Sequence, residues 1–154
     1  MIEKELIFIS DNVKSKDEAL GEMMAAARRM GYINSIADFS AAVRKREEEF
    51  PTSIGHAIAI PHGKSDTVIK PFVAFMKTEQ EFQWSEDDGG MVRYIFLLGV
   101  PEAEEQTIHL KILSQLSRQL LKSDFRDKLA DYQEAELFYQ LLKDIEKNVY
   151  EQED

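Results

Sequence analysis

Ala57-Ile58-Ala59-Ile60-Pro61-His62-Gly63 joins an uninterrupted apolar run to a proline, a histidine and a glycine. The apolar part lacks polar residues at alternate positions, which is typical of strands covered by helices on both faces of a sheet. Two longer runs, Phe72 to Met76 and Tyr94 to Leu98, have the same character. These three segments predict the buried sheet of an α/β fold.

Helical patterns flank the predicted strands on both sides along the chain. Ser15 with Glu18, and Ser35 with Asp38, have the spacing of residues that begin a helix, and Gly31 is a typical helix end. Two apolar stripes at helical spacing follow the last strand: Ile112, Leu113, Leu116 and Leu120, and then Leu137, Phe138, Leu141, Leu142 and Ile145. Strands and helices do not alternate strictly, so we expect a mixed β-sheet sandwiched between helices on both faces.

Composition limits the class of protein. The 154 residues suit a single domain, which we expect to span 1–150, with a frayed tail at 151–154. The absence of cysteine excludes disulfides and thiolate metal sites. A net charge of −10 argues against nucleic-acid binding. With neither a signal peptide nor the roughly 20 apolar residues that a membrane-spanning helix needs, a cytoplasmic location without membrane insertion is expected.

His62 is the first candidate for chemistry. Pro61 cannot donate to a strand ladder, so pairing should stop there, and Gly63 leaves room for another backbone or a ligand. A neutral imidazole titrates near physiological pH and is a competent nucleophile. The alternative is an ordinary loop histidine.

The other two histidines have different settings. His109 lies three residues before Ile112, on the core-facing stripe of its helix. It is either a buried core histidine or a hydrogen-bond donor to an anion near the helix N-terminus. His56 is six extended residues from His62, about 20 Å. We therefore expect a structural or surface role for His56, and no metal site.

Arg46 follows Val43 by three residues, which puts it near the core-facing side of its helix. A cation in that position can hold a phosphate group. The alternative is a solvated helix end, or an ion pair with one of the carboxylates at 47–49.

The stretch from Arg46 to Gly63 resembles the signature of the fructose/mannitol-type IIA components of bacterial sugar phosphotransferase systems. The matching elements are an Arg-Glu pair, Thr52 six residues after the arginine, an Ile-Gly pair and Ala-Ile-Pro-His. Further along, Thr107-Ile108-His109-Leu110-Lys111-Ile112-Leu113 resembles the setting of the family's second histidine. The resemblance covers nearly the whole chain.

The resemblance implies a phosphoryl carrier that needs no cofactor and no metal. His62 would accept the phosphoryl group from the carrier protein HPr and give it to a cysteine of a IIB domain. His109 would hydrogen-bond the transferring group, Arg46 would neutralise its charge, and Thr52 would support the site through its hydroxyl. An apolar patch that includes Ile54, Ile58 and Phe72 would receive HPr.

Two other functions remain open. Related domains of nitrogen-regulator type control a partner protein through their phosphorylation state. A metal-dependent hydrolase is a third hypothesis, although the sequence offers no ligand set for one. The identity of a transported sugar cannot be read from a chain that contacts proteins, and the oligomeric state cannot be read either.

Overall fold

In the part of the chain that the structure describes, six strands form one mixed sheet with helices on both faces, as the sequence predicts. The computed structural model describes residues 1–86, 90–102 and 107–151, with only the backbone at 107–109, 150 and 151. The strands are β1 (Ile7–Ser10), β2 (Ser53–Gly55), β3 (Ile58–Ala59), β4 (His62–Ser65), β5 (Phe72–Gln83) and β6 (Met91–Pro101). The helices are α1 (Lys16–Arg29), α2 (Ile36–Glu49), α3 (Thr107–Leu120), α4 (Ser123–Asp131) and α5 (Ala135–Glu151).

The two longest strands, β5 and β6, form the antiparallel centre of the sheet. β1 pairs with β5 in parallel, while β3 and β4 both pair in parallel with the other edge of β6. β2 then pairs antiparallel with β3. The mixture of parallel and antiparallel pairs agrees with the irregular order of strands and helices along the chain.

Alternate residues of the central strands face two separate apolar layers. Ala74 and Met76 of β5 pack with α1 and α2, whereas Val73 and Phe75 pack with α3, α4 and α5. Each buried side chain of this size contributes roughly 1.5–3 kcal/mol to stability through its removal from water. The predicted apolar stripes supply the helix faces of these layers, except that Leu137 is 41% exposed.

Both predicted helix starts are present. The Ser15 hydroxyl accepts from the Glu18 amide at 3.1 Å, and the Ser35 hydroxyl accepts from the Asp38 amide at 3.1 Å. Gly31 has a φ of 82° just beyond the end of α1, a conformation that glycine adopts without strain. Of the predicted frayed tail at 151–154, Glu151 is the last residue of α5, and residues 152–154 lie outside the described residues.

The segment around Pro61 differs from the single apolar strand that its composition suggests. Ala57 has a φ of 63° and belongs to the turn between β2 and β3, and Ile60 and Pro61 interrupt the strand before β4 begins at His62. The pairs Ile58 with Tyr94 and His62 with Leu98 nevertheless have the same register offset. β3 and β4 therefore follow one line beside β6 with a break at the proline, and His62 begins a strand instead of following one.

A second irregularity lies in the middle of β5. Lys77 pairs with Tyr94 and Phe82 pairs with Val92, so four residues of β5 lie opposite Arg93 alone. The Arg93 Nε donates to the Thr78 carbonyl at 3.0 Å. This hydrogen bond spans the bulge, which interrupts the regular pairing until it resumes at Phe82 with Val92.

Candidate functional site

His62 lies at the start of β4, half-buried, on the edge strand beside β6. The next residue, Gly63, packs against α2. A Cβ atom at Gly63 would lie 3.0 Å from Val43 Cγ2 and 3.3 Å from the Val43 backbone nitrogen. The glycine therefore permits β4 and α2 to approach closely, as the sequence predicts, and this contact fixes the backbone next to the histidine.

One hydrogen bond determines which nitrogen of His62 can react. Its Nδ1 lies 3.0 Å from the carbonyl oxygen of Ile60. A carbonyl oxygen only accepts, so Nδ1 carries the proton and Nε2 carries the lone pair. The imidazole is held in the tautomer that offers Nε2 as a nucleophile.

A chain of hydrogen bonds connects this histidine to a buried carboxylate. The Glu47 side chain accepts from the Thr52 amide at 3.2 Å and from the Thr52 hydroxyl. The Thr52 carbonyl accepts from the Ile60 amide at 3.0 Å. The Ile60 carbonyl in turn accepts from His62, so the link from Thr52 to the histidine runs through backbone groups. The Thr52 hydroxyl does not take part in this link, because it donates to Glu47.

Glu47 contacts two further parts of the molecule. Its carboxylate accepts from the Trp84 indole at 3.0 Å and lies 4.0 Å from the Lys16 ammonium. The sequence analysis does not single out this residue, although a signal exists. Glu47 follows Phe39 by eight residues and Val43 by four, and it therefore lies on the buried face of α2.

Replacement of Glu47 by glutamine is expected to destabilise the fold and loosen the Thr52 loop. A glutamine amide has one acceptor oxygen: with that oxygen at the Oε2 position, the Thr52 hydroxyl loses the acceptor that it has at Oε1, and the negative charge near Lys16 is lost as well. Unpaired buried donors cost about 1–3 kcal/mol. Trp84 is the only tryptophan in the chain, and it is 3% exposed, so urea unfolding and the emission wavelength of the folded state both report the change.

Glu49→Gln is the matched control, because Glu49 is exposed and on the same helix. We expect its unfolding free energy to stay within about 0.5 kcal/mol of the native value, with unchanged emission. Equal stability of the two variants would contradict the role assigned to Glu47.

Arg46 lies half-buried on the side of α2 that approaches β4, one turn beyond Val43. Its Nη1 donates to the Phe50 carbonyl at 2.8 Å. This bond satisfies a carbonyl at the end of α2 and anchors the guanidinium there. A guanidinium has five N–H donors, so an anchored Arg46 can also serve an anion.

The backbone of α3 begins at Thr107 and includes position 109, but the side chain of His109 lies outside the described residues. Position 109 is three residues before Ile112, which packs in the same apolar layer as Leu98. Leu98 is the register partner of His62. The role expected of His109 stays a prediction.

The surface near the histidine differs in part from the apolar patch expected from the sequence. Ile54 is 46% exposed, but Ile58 and Phe72 are each 1% exposed, because both side chains face the core. Phe50, at the end of α2, is 75% exposed. Among the residues that the structure describes in this segment, Phe50 and Ile54 are thus exposed, whereas Ile58 and Phe72 are not.

His56 is exposed, with a φ of 56° in the turn between β2 and β3. Among the described residues, no three His, Asp or Glu side chains lie close enough together to hold a metal ion. In the same part of the chain, no helix has the length and apolar character to cross a membrane.

Comparisons with known proteins agree on one family. The model of the phosphoenolpyruvate-dependent sugar phosphotransferase system EIIA 2 family matches residues 1–145. The fructose-specific EIIA component of Haloferax volcanii is 31% identical over 141 residues, which are 92% of this chain and 91% of that protein. The fructose-specific EIIABC component of Bacillus subtilis is 27% identical over 147 residues, 96% of this chain, but the chain spans only 23% of its length.

A solved structure of similar fold is the nitrogen regulatory protein IIA-Ntr from Neisseria meningitidis. Its TM-score is 0.80 at 28% sequence identity, and the alignment covers 91% of this chain and 94% of that one. Sugar-transport and nitrogen-regulatory proteins thus both occur among the relatives of this chain.

Proposed function

The chain belongs to the EIIA 2 family of the phosphoenolpyruvate-dependent sugar phosphotransferase system, and on that premise we propose that it is a phosphoryl carrier acting through His62. It accepts the phosphoryl group from phosphorylated HPr and donates it to a cysteine of a IIB domain. Residues 1–150 form one EIIA domain that acts in the cytoplasm. The sugar is selected by other components.

The hydrogen bond from Nδ1 of His62 to the Ile60 carbonyl is the observation that carries this proposal. The Nε2 lone pair attacks the phosphorus while the phosphorus–nitrogen bond to the HPr histidine breaks. The proton on Nδ1 stays in place throughout, so the protein has no proton to move. In the second step the cysteine thiolate attacks phosphorus and His62 recovers its lone pair.

In this proposal, Arg46 and His109 neutralise the negative charge of the transferring phosphoryl group. Phosphoryl transfer depends on in-line positioning and on stabilising the negative charge of the equatorial oxygens. Arg46 is anchored near β4 through Phe50, and position 109 lies in the first turn of α3, the helix that packs next to Leu98. Thr52 supports the site by holding Ile60 through its carbonyl.

The partner surface consists of Phe50 and Ile54, both exposed close to the site. Exposed apolar side chains next to a reactive group favour docking of a protein partner. The net charge of −10 favours partners that have a basic rim.

The test is phosphoryl transfer from phosphoenolpyruvate through purified enzyme I and HPr, followed by intact mass. We expect one phosphoryl group on the native chain, none on His62→Ala, and loss of the group when a cognate IIB domain is added. Equal labelling of the two chains would refute His62 as the acceptor. Absence of labelling on both would refute the carrier function.

A nitrogen-type regulator is the second candidate, supported by the likeness to the Neisseria protein. A regulator accepts the phosphoryl group on the same histidine but does not pass it on rapidly. Persistence of the label in the presence of several IIB domains, together with binding to a protein partner that changes on phosphorylation, would favour this function over transport.

A further inference from the structure

A cavity of about 380 Å³ lies at the end of the sheet away from His62. Its floor includes Ile58 and Tyr94, which are register partners, whereas His62 pairs with Leu98. Four residues along a strand span about 13 Å, so the cavity is distinct from the histidine site. Its volume is within the usual range for small-molecule pockets.

Two arginines from separate elements line this cavity, Arg93 of β6 and Arg126 of α4. Both are half-buried, and each is anchored through one nitrogen to a backbone carbonyl. Arg93 Nε donates to Thr78 at 3.0 Å, and Arg126 Nη1 donates to Leu120 at 2.8 Å. The anchors fix the plane of each guanidinium, and its fork of N–H donors matches the oxygens of a phosphate group.

The backbone around the cavity is irregular on two sides. The bulge of β5 lies opposite Arg93, and the left-handed turn at His56 and Ala57 forms the rim. The Ala57 carbonyl accepts from both the Arg93 and Tyr94 amides, at 2.9 and 3.0 Å. Bulges, and non-glycine residues in the left-handed conformation, are found often at binding sites. They point side chains in directions that a regular strand does not allow.

Charged groups of both signs surround the cavity: Arg93, Arg126 and Glu81 line it, and Asp131 lies near Lys77 and Tyr94. Lys77, which is 3% exposed, lies near Arg93, and its ammonium donates to the carbonyls of Ala130 and Tyr132. Burial lowers the pKa of Lys77, and the positive charge of Arg93 lowers this pKa further. Arg93 and Arg126 are the cations that line the cavity itself, so an anion there would be held by their two guanidinium groups.

We propose that this cavity binds a small organic phosphate that also carries hydroxyl groups. Arg93 and Arg126 hold the phosphate group. Glu81, which also lines the cavity, accepts from a hydroxyl of the ligand, and the ring of Tyr94 with Leu129 forms an apolar wall. The inference does not depend on the carrier function, since it involves other residues and a different end of the sheet.

The test is a titration of the ¹⁵N-labelled chain, followed by amide chemical shifts, with glucose 6-phosphate, inorganic phosphate, citrate and glucose as separate probes. We expect saturable shifts at Ala57, Arg93 and Tyr94 with glucose 6-phosphate, and none with glucose. No saturable shift with glucose 6-phosphate, or shifts centred on His62 and Leu98, would overturn the proposal. Tighter binding of citrate would overturn the assignment to a phosphate.

Variants test the arginines directly. Arg126→Gln is expected to weaken binding of glucose 6-phosphate at least about tenfold, since one bidentate charged contact is lost. Arg29→Gln, an equal change of charge on the exposed face of α1, should bind like the native chain. Equal binding by Arg126→Gln would overturn the site. If that variant does not fold, Arg126→Lys keeps the charge without the fork, and undiminished binding by it would equally overturn the site.

Glu81→Gln tests the contact to the ligand hydroxyl independently of the contact to the phosphate group. Removal of the negative charge should strengthen the binding of inorganic phosphate. Loss of the acceptor for a ligand hydroxyl should reduce the preference for glucose 6-phosphate over inorganic phosphate. An unchanged preference would overturn the role given to Glu81. Dispersed amide spectra of each variant establish that the fold is intact.

Discussion

Replacement of His62 by glutamine is expected to abolish phosphoryl acceptance without unfolding the protein. Glutamine is similar in length and stays polar, but its amide nitrogen has no lone pair available for attack on phosphorus. His62 is half-buried and does not contribute to either apolar layer, so the unfolding free energy should change by less than about 1 kcal/mol. The measurements are labelling from phosphorylated HPr and urea unfolding.

His56→Gln is the matched control, because it makes the same chemical change at an exposed turn. It should accept the phosphoryl group at the native rate. Labelling of His62→Gln, or a failure of both variants to be labelled, would contradict the assignment of the acceptor. In the native chain, phosphorus NMR should place the phosphoryl group on Nε2, since Nδ1 donates to Ile60.

The second large effect is expected at Gly99, where alanine should strongly destabilise the sheet. Gly99 pairs with Phe72 on one side and Gly63 on the other. A Cβ atom there would lie 2.1 Å from Phe72 Cε1, and the Phe72 ring is itself packed against Tyr32 and Phe39 at centroid distances of 5.5 and 5.6 Å. Overpacking of a buried site costs about 1–3 kcal/mol and sometimes more.

Urea unfolding measures this loss, and Gly21→Ala provides the contrasting control. Gly21 lies in α1 with no heavy atom within 4 Å of an added Cβ. Alanine is the better helix former, so this variant should gain about 0.5–1 kcal/mol. A Gly99→Ala chain as stable as the native one would show that the Phe72 ring can move aside.

Most of the fold was predictable because the sequence signals are local. The continuous apolar runs predict central strands that are covered on both faces, and Ser15 and Ser35 mark helix starts that the structure contains. The length of β5 was not predictable from its pattern. Its second half is polar, and it remains a strand because the pairing of Phe82 with Val92 resumes after the bulge.

The site was predictable only in part. The sequence singles out His62, Arg46 and Thr52, but their connection depends on tertiary contacts. Glu47 stands in a run of three glutamates, and its helical spacing from Phe39 and Val43 is the signal that marks it as the buried one. Thr52 reaches the histidine through its carbonyl and Ile60, a path of backbone groups that carries no residue signature.

The break at Ile60 and Pro61 has a consequence for the evolution of this segment. Because β3 and β4 keep one register along β6, the number of residues between Ala59 and His62 is fixed by the sheet. One inserted residue would exchange the faces of His62 and Gly63, turning the His62 side chain toward α2. Alignments of homologous chains should therefore be free of gaps between Ala59 and His62.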